Sequence, residues 1–287
     1  MSKVFIVGCG QVGRLIAQRY LDQDQPVFGL ARSATTAGEL ESLGIIPVRG
    51  DLDYPASLTS LSLDGDLVHY LAPPPGSGVE DPRMANFLAA IDAGSPPRRI
   101  IYVSTSGVYG DCGGAWVDED TLPNPQTDRA RRRLDAENRL QDWGQQSGIA
   151  ATVLRVGGIY GPGRLPEARL RRRSPILLEE QCGYTNRIHV EDLVSVCLAA
   201  GESTGKGRVY NVSDGHPGNM SGYFKAVARR LGLPPPEEIP MEEARERLSP
   251  ELMSYLLESR RMDNRRMLSE LGVSLRYPDL DAGLREV

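Results

Sequence analysis

Gly8, Gly10 and Gly13 stand in the order G-x-G-x-x-G within GCGQVG, directly after the apolar run Val4-Phe5-Ile6-Val7. Between a strand and a helix, glycines at this spacing do three separate jobs. The first makes a tight turn, the second lets the backbone approach a phosphate, and the third lets the helix pack closely on the strand. Leu15, Ile16, Ala17 and Tyr20 recur at helical spacing just downstream, so the helix is there. Backbone N–H groups of Gly10, Gln11, Val12 and Gly13, with the positive end of the helix dipole behind them, form a cradle for a pyrophosphate. Cys9 reads as a small residue filling the turn, because no partner set for a nucleophile accompanies it.

A second set of residues selects the dinucleotide. At the end of the second strand, about 20 residues past the glycines, a carboxylate would accept from the 2′-hydroxyl of NAD, whereas an arginine accommodates the 2′-phosphate of NADP. The chain reads Leu30-Ala31-Arg32-Ser33 here, with no carboxylate. Arg32 can pair bidentately with phosphate and Ser33 can add a hydroxyl donor, so NADP(H) is the expected cofactor and NAD the alternative. Asp51 and Leu52, after the third strand, are placed for the adenine. Leu71, Ala72 and Pro73, at the carboxyl end of the fourth strand, would line the cofactor crevice.

The elements that must hold these residues alternate. Strand signals fall in PVFGLARS, IIPVRGDL, DLVHYLAPPP, RRIIYVSTSGVYG and ATVLRVGGIYG, with helices near AGELESLG, over roughly 83–93 and over 128–146. This rhythm predicts an α/β fold, a doubly wound parallel sheet of the Rossmann type. Beyond Gly161 the pattern changes, and from Gly215 short helices broken by prolines dominate. The expected division is a dinucleotide-binding domain from 1–160 and 186–213, with a small, mostly helical substrate lobe from 161–185 and 214–287.

Composition narrows the function classes. The 287 residues are 40% hydrophobic and 25% charged with a net charge of −5, which gives no general bias toward nucleic acid or an anionic membrane. Arg131-Arg132-Arg133 and Arg171-Arg172-Arg173 have no interleaved aromatics, against nucleic-acid binding. The second run reads either as a clamp for an anionic substrate group or as a solvated face balanced by Glu167, Glu179 and Glu180. Four dispersed cysteines and three scattered histidines give no metal-ligand spacing and no disulfide framework. With no membrane-length apolar run and no signal core, the expectation is a cytoplasmic monomer or homodimer acting on a small molecule.

The fifth strand, YVSTSGVYG, resembles the V-S-S-x-x-V-Y-G segment of the extended short-chain dehydrogenases/reductases, the NAD(P)-dependent epimerase/dehydratase family. LRVGGIYGPGR, NRIHVEDL, RVYNVSDG and MDNRRMLSELG resemble further segments of that family, in order along nearly the whole chain. Members pair a Ser or Thr with Tyr-x-x-x-Lys, the tyrosine serving as general acid/base. The resemblance places Thr105 on the hydroxyl position, Arg133 on the lysine and Gly158 and Ile159 along the cofactor. It puts Ser106, Tyr109, Asn186 and Arg187 at the substrate. Arg129 falls on the tyrosine, so the usual acid is missing, and a guanidinium cannot replace it because it stays protonated and offers no acceptor. Tyr109 and Tyr160 are the nearest candidates for the role, and Tyr109 is the one expected to be catalytic beside Thr105 and Arg133. The T-D-E of the sugar-nucleotide 4,6-dehydratases is absent, since Ser106 and Gly107 follow Thr105. The resemblance implies an NADP(H)-dependent oxidoreductase or epimerase-like isomerase of an atypical kind, acting on a carbonyl compound or a nucleotide-activated sugar. The alternative is a non-catalytic NADP(H)-sensing regulator.

Overall fold

A computed structural model describes residues 3–58, 61–205 and 207–286. Seven strands form the main sheet: β1 (Val4–Val7), β2 (Val27–Ala31), β3 (Ile46–Arg49), β4 (Leu67–Tyr70), β5 (Arg99–Thr105), β6 (Ala150–Val156) and β7 (Val209–Val212). Their order is β7-β6-β5-β4-β1-β2-β3, and β1 pairs in parallel with both β2 and β4. All four residues of β1 and of β4 are buried, as a central strand covered on both faces requires. Strand order reverses between β1 and β4, and this switch point is where open α/β sheets bind ligands.

Helices α1 (Gln11–Leu21), α2 (Ala34–Ser42), α3 (Pro82–Ala89), α4 (Asp128–Ser147) and α5 (Val190–Glu202) follow in chain order. The third starts and ends earlier than the expected 83–93. Asp81 accepts from the Arg83 and Met84 N–H groups at 3.0 and 3.2 Å, and Pro82 occupies the first turn, where its missing N–H costs nothing. The sixth strand is also shorter than the expected ATVLRVGGIYG. After Val156 the Gly157 N–H bonds to the Val212 carbonyl and the Gly158 N–H to the Asn186 carbonyl. Residues Gly158–Tyr160 then pair separately with Arg187–His189. The fifth strand stops at Thr105, and Ser106–Tyr109 forms a 3₁₀ turn.

The chain divides into two compact units. The first comprises 1–108, 128–155 and 194–210, the second 109–127, 156–193 and 211–287. Residues 109–127, 156–160, 186–193 and 211–213, grouped with the dinucleotide domain from sequence, cluster with the second unit.

In the first unit Tyr70, Phe87, Ile100, Tyr102, Ala136 and Leu140 pack between sheet and helices with almost no exposure. Burying such side chains stabilises by about 1.5–3 kcal/mol each before entropy is counted. One polar network crosses this core. Glu137 on α4 accepts from Ser104 Oγ on β5 and, at 3.0 and 2.8 Å, from Nε and Nη2 of Arg155 on β6. Burial pushes the Glu137 carboxyl up while Arg155 pulls it down.

The second unit holds short helices and two-residue strand pairs, such as Trp116–Val117 with Arg261–Met262. Its core centres on Tyr160, Tyr223, Phe224, Val227 and Leu284. No helix among the described residues is long and apolar enough to cross a membrane.

Candidate cofactor and active site

The three glycines divide their work as the spacing implies. Gly8 has φ +99°, and a Cβ there would lie 2.5 Å from the Ala72 nitrogen, so both backbone conformation and the approach of the chain after β4 exclude a side chain. Gly13 packs α1 onto the loop, where a Cβ would meet the Gly8 carbonyl oxygen at 2.4 Å and Ile6 at 3.3 Å. At Gly10 a Cβ would meet nothing within 4 Å, leaving open space at the helix N-terminus. That terminus has no side-chain cap and no acidic residue in its first turn. Donors therefore remain for an anion, and the residues present fit a dinucleotide pyrophosphate. Gly13→Ala should separate α1 from β1, lowering stability by about 1–3 kcal/mol and weakening dinucleotide binding at least tenfold. Thermal melts and a calorimetric titration read this; unchanged affinity would refute it.

The loop is otherwise filled by packing. Val12 is buried and Gln11 exposed. Burial raises the Cys9 thiol to about 11 against the pull of Arg14, which disfavours its thiolate.

At the end of β2 Arg32 is exposed. Ser33 serves α2 as its N-cap, accepting from the Thr36 N–H at 3.1 Å. A second arginine, which the linear pattern does not reveal, stands beside them. Arg49 ends β3 opposite Ala31, and its Nη2 donates to the Arg32 carbonyl at 3.5 Å. Only sheet register brings these guanidinium-bearing residues to one edge. Asp51 accepts from the Asp53 N–H at 3.0 Å, and Leu52 is buried with its carbonyl held by Asn86 at 2.7 Å. The Leu71 N–H donates to the Val7 carbonyl at 2.7 Å, with Ala72 buried and Pro73 next in the chain.

Thr105 at the end of β5 is half-buried, with Oγ1 accepting from the Gly107 N–H at 3.2 Å. Ser106 is buried. Arg133 is anchored to β5, donating at 3.2 Å to both the Tyr102 hydroxyl and the Val103 carbonyl. Burial raises the Tyr102 hydroxyl to about 12, with Arg133 opposing. The arginine run 131–133 thus splits three ways: Arg131 pairs with Asp128 at 2.7 Å, Arg132 is buried and donates to the Gly78 carbonyl, and Arg133 reaches β5.

In the second unit the tyrosine candidates are structural. The Tyr109 hydroxyl is buried 2.9 Å from the Asp118 carbonyl and 2.8 Å from Asn211 Oδ1. Tyr160 donates to the Asp279 carbonyl at 3.1 Å and lies against Gly283. With both hydroxyls held in the interior, neither is a ready proton donor. Asn186 is a strap, donating to the Arg260 carbonyl at 3.1 Å and accepting from the Met262 N–H at 2.8 Å.

Arg187 is buried over the Tyr223 ring at 4.2 Å and donates to Thr185 Oγ1 at 3.0 Å. Burial pulls its pKa down. Nearby charge is supplied by Asp214, raised to about 6 chiefly by burial. Gly158 is exposed and Ile159 half-buried in their short strand. Arg171, Arg172 and Arg173 are exposed, and Arg171 pairs with Glu167 at 2.6 Å. Of the two readings for that run, the solvated face is the one its contacts support. His189 stacks on Tyr277 at 3.8 Å between ring centroids, and its Nδ1 accepts from the Glu191 N–H at the strand-to-helix junction. Among the described residues no cluster of His, Cys, Asp and Glu could hold a metal ion.

A glycine cradle at the switch point of a doubly wound sheet defines a dinucleotide-binding Rossmann protein. Residues 4–213 match the model of the NAD dependent epimerase/dehydratase family, and the chain belongs to that family of enzymes. It is 27% identical to Protein YeeZ of Escherichia coli (strain K12), over 97% of both chains. It is also 27% identical to the 3-diazoavenalumate denitrifying reductase of a Streptomyces species, over 98% of this chain and 99% of the relative. A solved structure of a functionally unknown conserved protein from Silicibacter pomeroyi DSS superposes with a TM-score of 0.83 at 31% identity, covering 99% of this chain and 97% of the other.

Proposed function

We propose that the chain is an NADP(H)-dependent oxidoreductase of the atypical extended type, acting on a small carbonyl compound or nucleotide-activated sugar. The observation that carries the cofactor half is the exposed Arg32 at the end of β2, where NAD-binding folds place an acid, with Arg49 beside it. When bound, the nicotinamide supplies the hydride. The chain's own residues would hold and orient it: the glycine loop takes the pyrophosphate, Arg32 the 2′-phosphate, Asp51 and Leu52 the adenine, and Leu71, Ala72 and Pro73 line the dinucleotide.

Thr105 orients the substrate oxygen, and Arg133, held on β5, presents its remaining N–H groups to the nicotinamide ribose. Arg133 binds without moving protons, because guanidinium remains charged at working pH. Reduction, rather than epimerisation, is favoured by Arg129 standing where the family's tyrosine is expected: a one-way reduction needs the nicotinamide hydride and a single proton, which solvent water can give, whereas oxidation and re-reduction of the substrate also need a base. A reductase activity in the Streptomyces relative, aligned end to end, supports this direction.

Calorimetric titration should show NADPH binding more tightly than NADH, and Arg32→Ala should reduce that ratio by about 10- to 100-fold through loss of a charge-assisted phosphate contact. Equal affinities in the native protein would overturn the NADP(H) assignment. NADPH consumption across a panel of carbonyl compounds and sugar nucleotides tests the reaction. Tight binding with no turnover on any of them would overturn that half.

A further inference from the structure

Discrimination between the two dinucleotides requires more than positive charge at the end of β2, because a carboxylate close by would pair with that charge and repel a phosphate. Asp53 is such a carboxylate. It follows β3 by a few residues, past Arg49, and the Asp51–Tyr54 bridge turns its segment back beside the strand end. Arg83 occupies both of its oxygens: Nε meets Oδ1 and Nη2 meets Oδ2, each at 2.7 Å, a fork-to-fork pair. The remaining arm of Arg83, Nη1, donates to the Pro73 carbonyl at 3.0 Å and approaches that of Pro74 at 3.5 Å. One guanidinium therefore ties the segment after β3 to the segment after β4.

Its position is fixed independently of Asp53. Arg83 stands in the first turn of α3, where Asp81 caps its N–H at 3.0 Å and Pro82 presets the backbone. The Asp53 carboxyl is held below the usual carboxylate range first by Arg83 and further by the charge of Arg32, so all three belong to one electrostatic neighbourhood. Asp53 is charged at neutral pH, and whether Arg32 faces a carboxylate or a phosphate depends on which cation Asp53 pairs with.

We propose that Arg83 is a positioning residue for dinucleotide selection: by clamping Asp53 it leaves Arg32 and Arg49 unneutralised for the 2′-phosphate. This rests on the NADP(H) reading. Without Arg83, Asp53 turns to Arg32 and Arg49, cancels their charge and lowers NADPH affinity while leaving NADH affinity nearly as it was. The coupling is Coulombic and near the surface, so it weakens as salt rises.

The experiment measures dissociation constants for NADPH and NADH by calorimetry at low salt. It uses the native protein, Arg83→Gln, Asp53→Asn and the double variant, each checked for folding by thermal melt. The expected result is a fall of roughly tenfold in the NADPH-to-NADH affinity ratio for Arg83→Gln, the scale of one charge contact. Asp53→Asn alone should keep the ratio or raise it, and the double variant should restore it. Restoration cannot come from the Pro73 contact, which both Arg83 variants lack.

A native-like ratio in Arg83→Gln, or a fall that Asp53→Asn does not repair, overturns the proposal. Equal losses for both nucleotides reduce Arg83 to a wall support and overturn it likewise. A native protein with no preference, and an Arg32→Ala variant indistinguishable from it, instead overturns the NADP(H) reading and this proposal with it.

Discussion

Between pH 6.5 and about 3, His69 alone should cost the protein roughly 1.4 kcal/mol of stability per pH unit, approaching 5 kcal/mol across the window. His69 lies at the centre of β4 with no exposure, and its Nε2 shares a hydrogen bond with the Tyr20 hydroxyl at 3.0 Å. Nδ1 is buried with no partner among the described residues. Protonation puts an N–H on both ring atoms and a charge in the core, so burial, helped by Arg98, pulls the pKa from 6.5 to about 3. The folded pKa lies below the unfolded one, so the unfolded chain binds the extra proton. Stability is full above 6.5 and is lost as pH falls through 3.

Asp214 works in the opposite sense. Its carboxyl is raised from 3.8 to about 6, so its contribution is full below 3.8 and lost as pH rises through 6. The His69 contribution is isolated by comparing urea melts of the native protein and His69→Gln at pH 7 and pH 4. Gln keeps a hydrogen-bonding group for Tyr20 but cannot ionise. The variant should lose less stability on acidification than the native protein by several kcal/mol; parallel losses would refute the assignment.

Glu137→Ala should destabilise the first unit by about 3–5 kcal/mol, because it strips the buried Arg155 guanidinium of the carboxylate that neutralises it. Side-chain exposures of 6% for Arg155 and 1% for Glu137 decide the size of this effect, since exposed pairs are worth under about 1 kcal/mol. Breaking a buried pair costs more than the pair is worth. Glu137→Leu with Arg155→Met should accordingly recover most of the loss. Denaturant melts at pH 7 read both. A single variant within about 1 kcal/mol of native, or a double variant no better than the single, would show that the network does not carry the junction of α4 with β5 and β6.

The fold and the cradle were legible in the chain because both rest on local physics. Val4–Val7 is a buried strand because it is apolar without interruption. The three glycines have different tasks because turn, phosphate approach and helix packing fall at fixed offsets from that strand. Family motifs in order along the chain carried the Rossmann architecture and the family. Helix and strand ends were less visible: Asp81-Pro82 starts α3 early, and Gly157 interrupts what reads as one strand.

Side-chain commitments were not legible, because they depend on partners distant in sequence. Tyr109 and Asn186 look like site residues in a motif. Asp118, Asn211, Arg260 and Met262 turn their polar groups to structural use. Arg131, Arg132 and Arg133 look like one basic run, yet a helix turns successive residues by about 100°, so they reach solvent, the Gly78 carbonyl and β5 respectively. The sequence alone determined that a glycine turn and an uncapped helix N-terminus follow β1, since adjacent residues build that cradle. Which charges stand free at the end of β2 was decided by sheet register and by α3, which carry Arg49 alongside Arg32 and set Arg83 on Asp53. Cofactor choice is a sum of Coulombic terms over groups far apart in the chain, and only folding sets their distances.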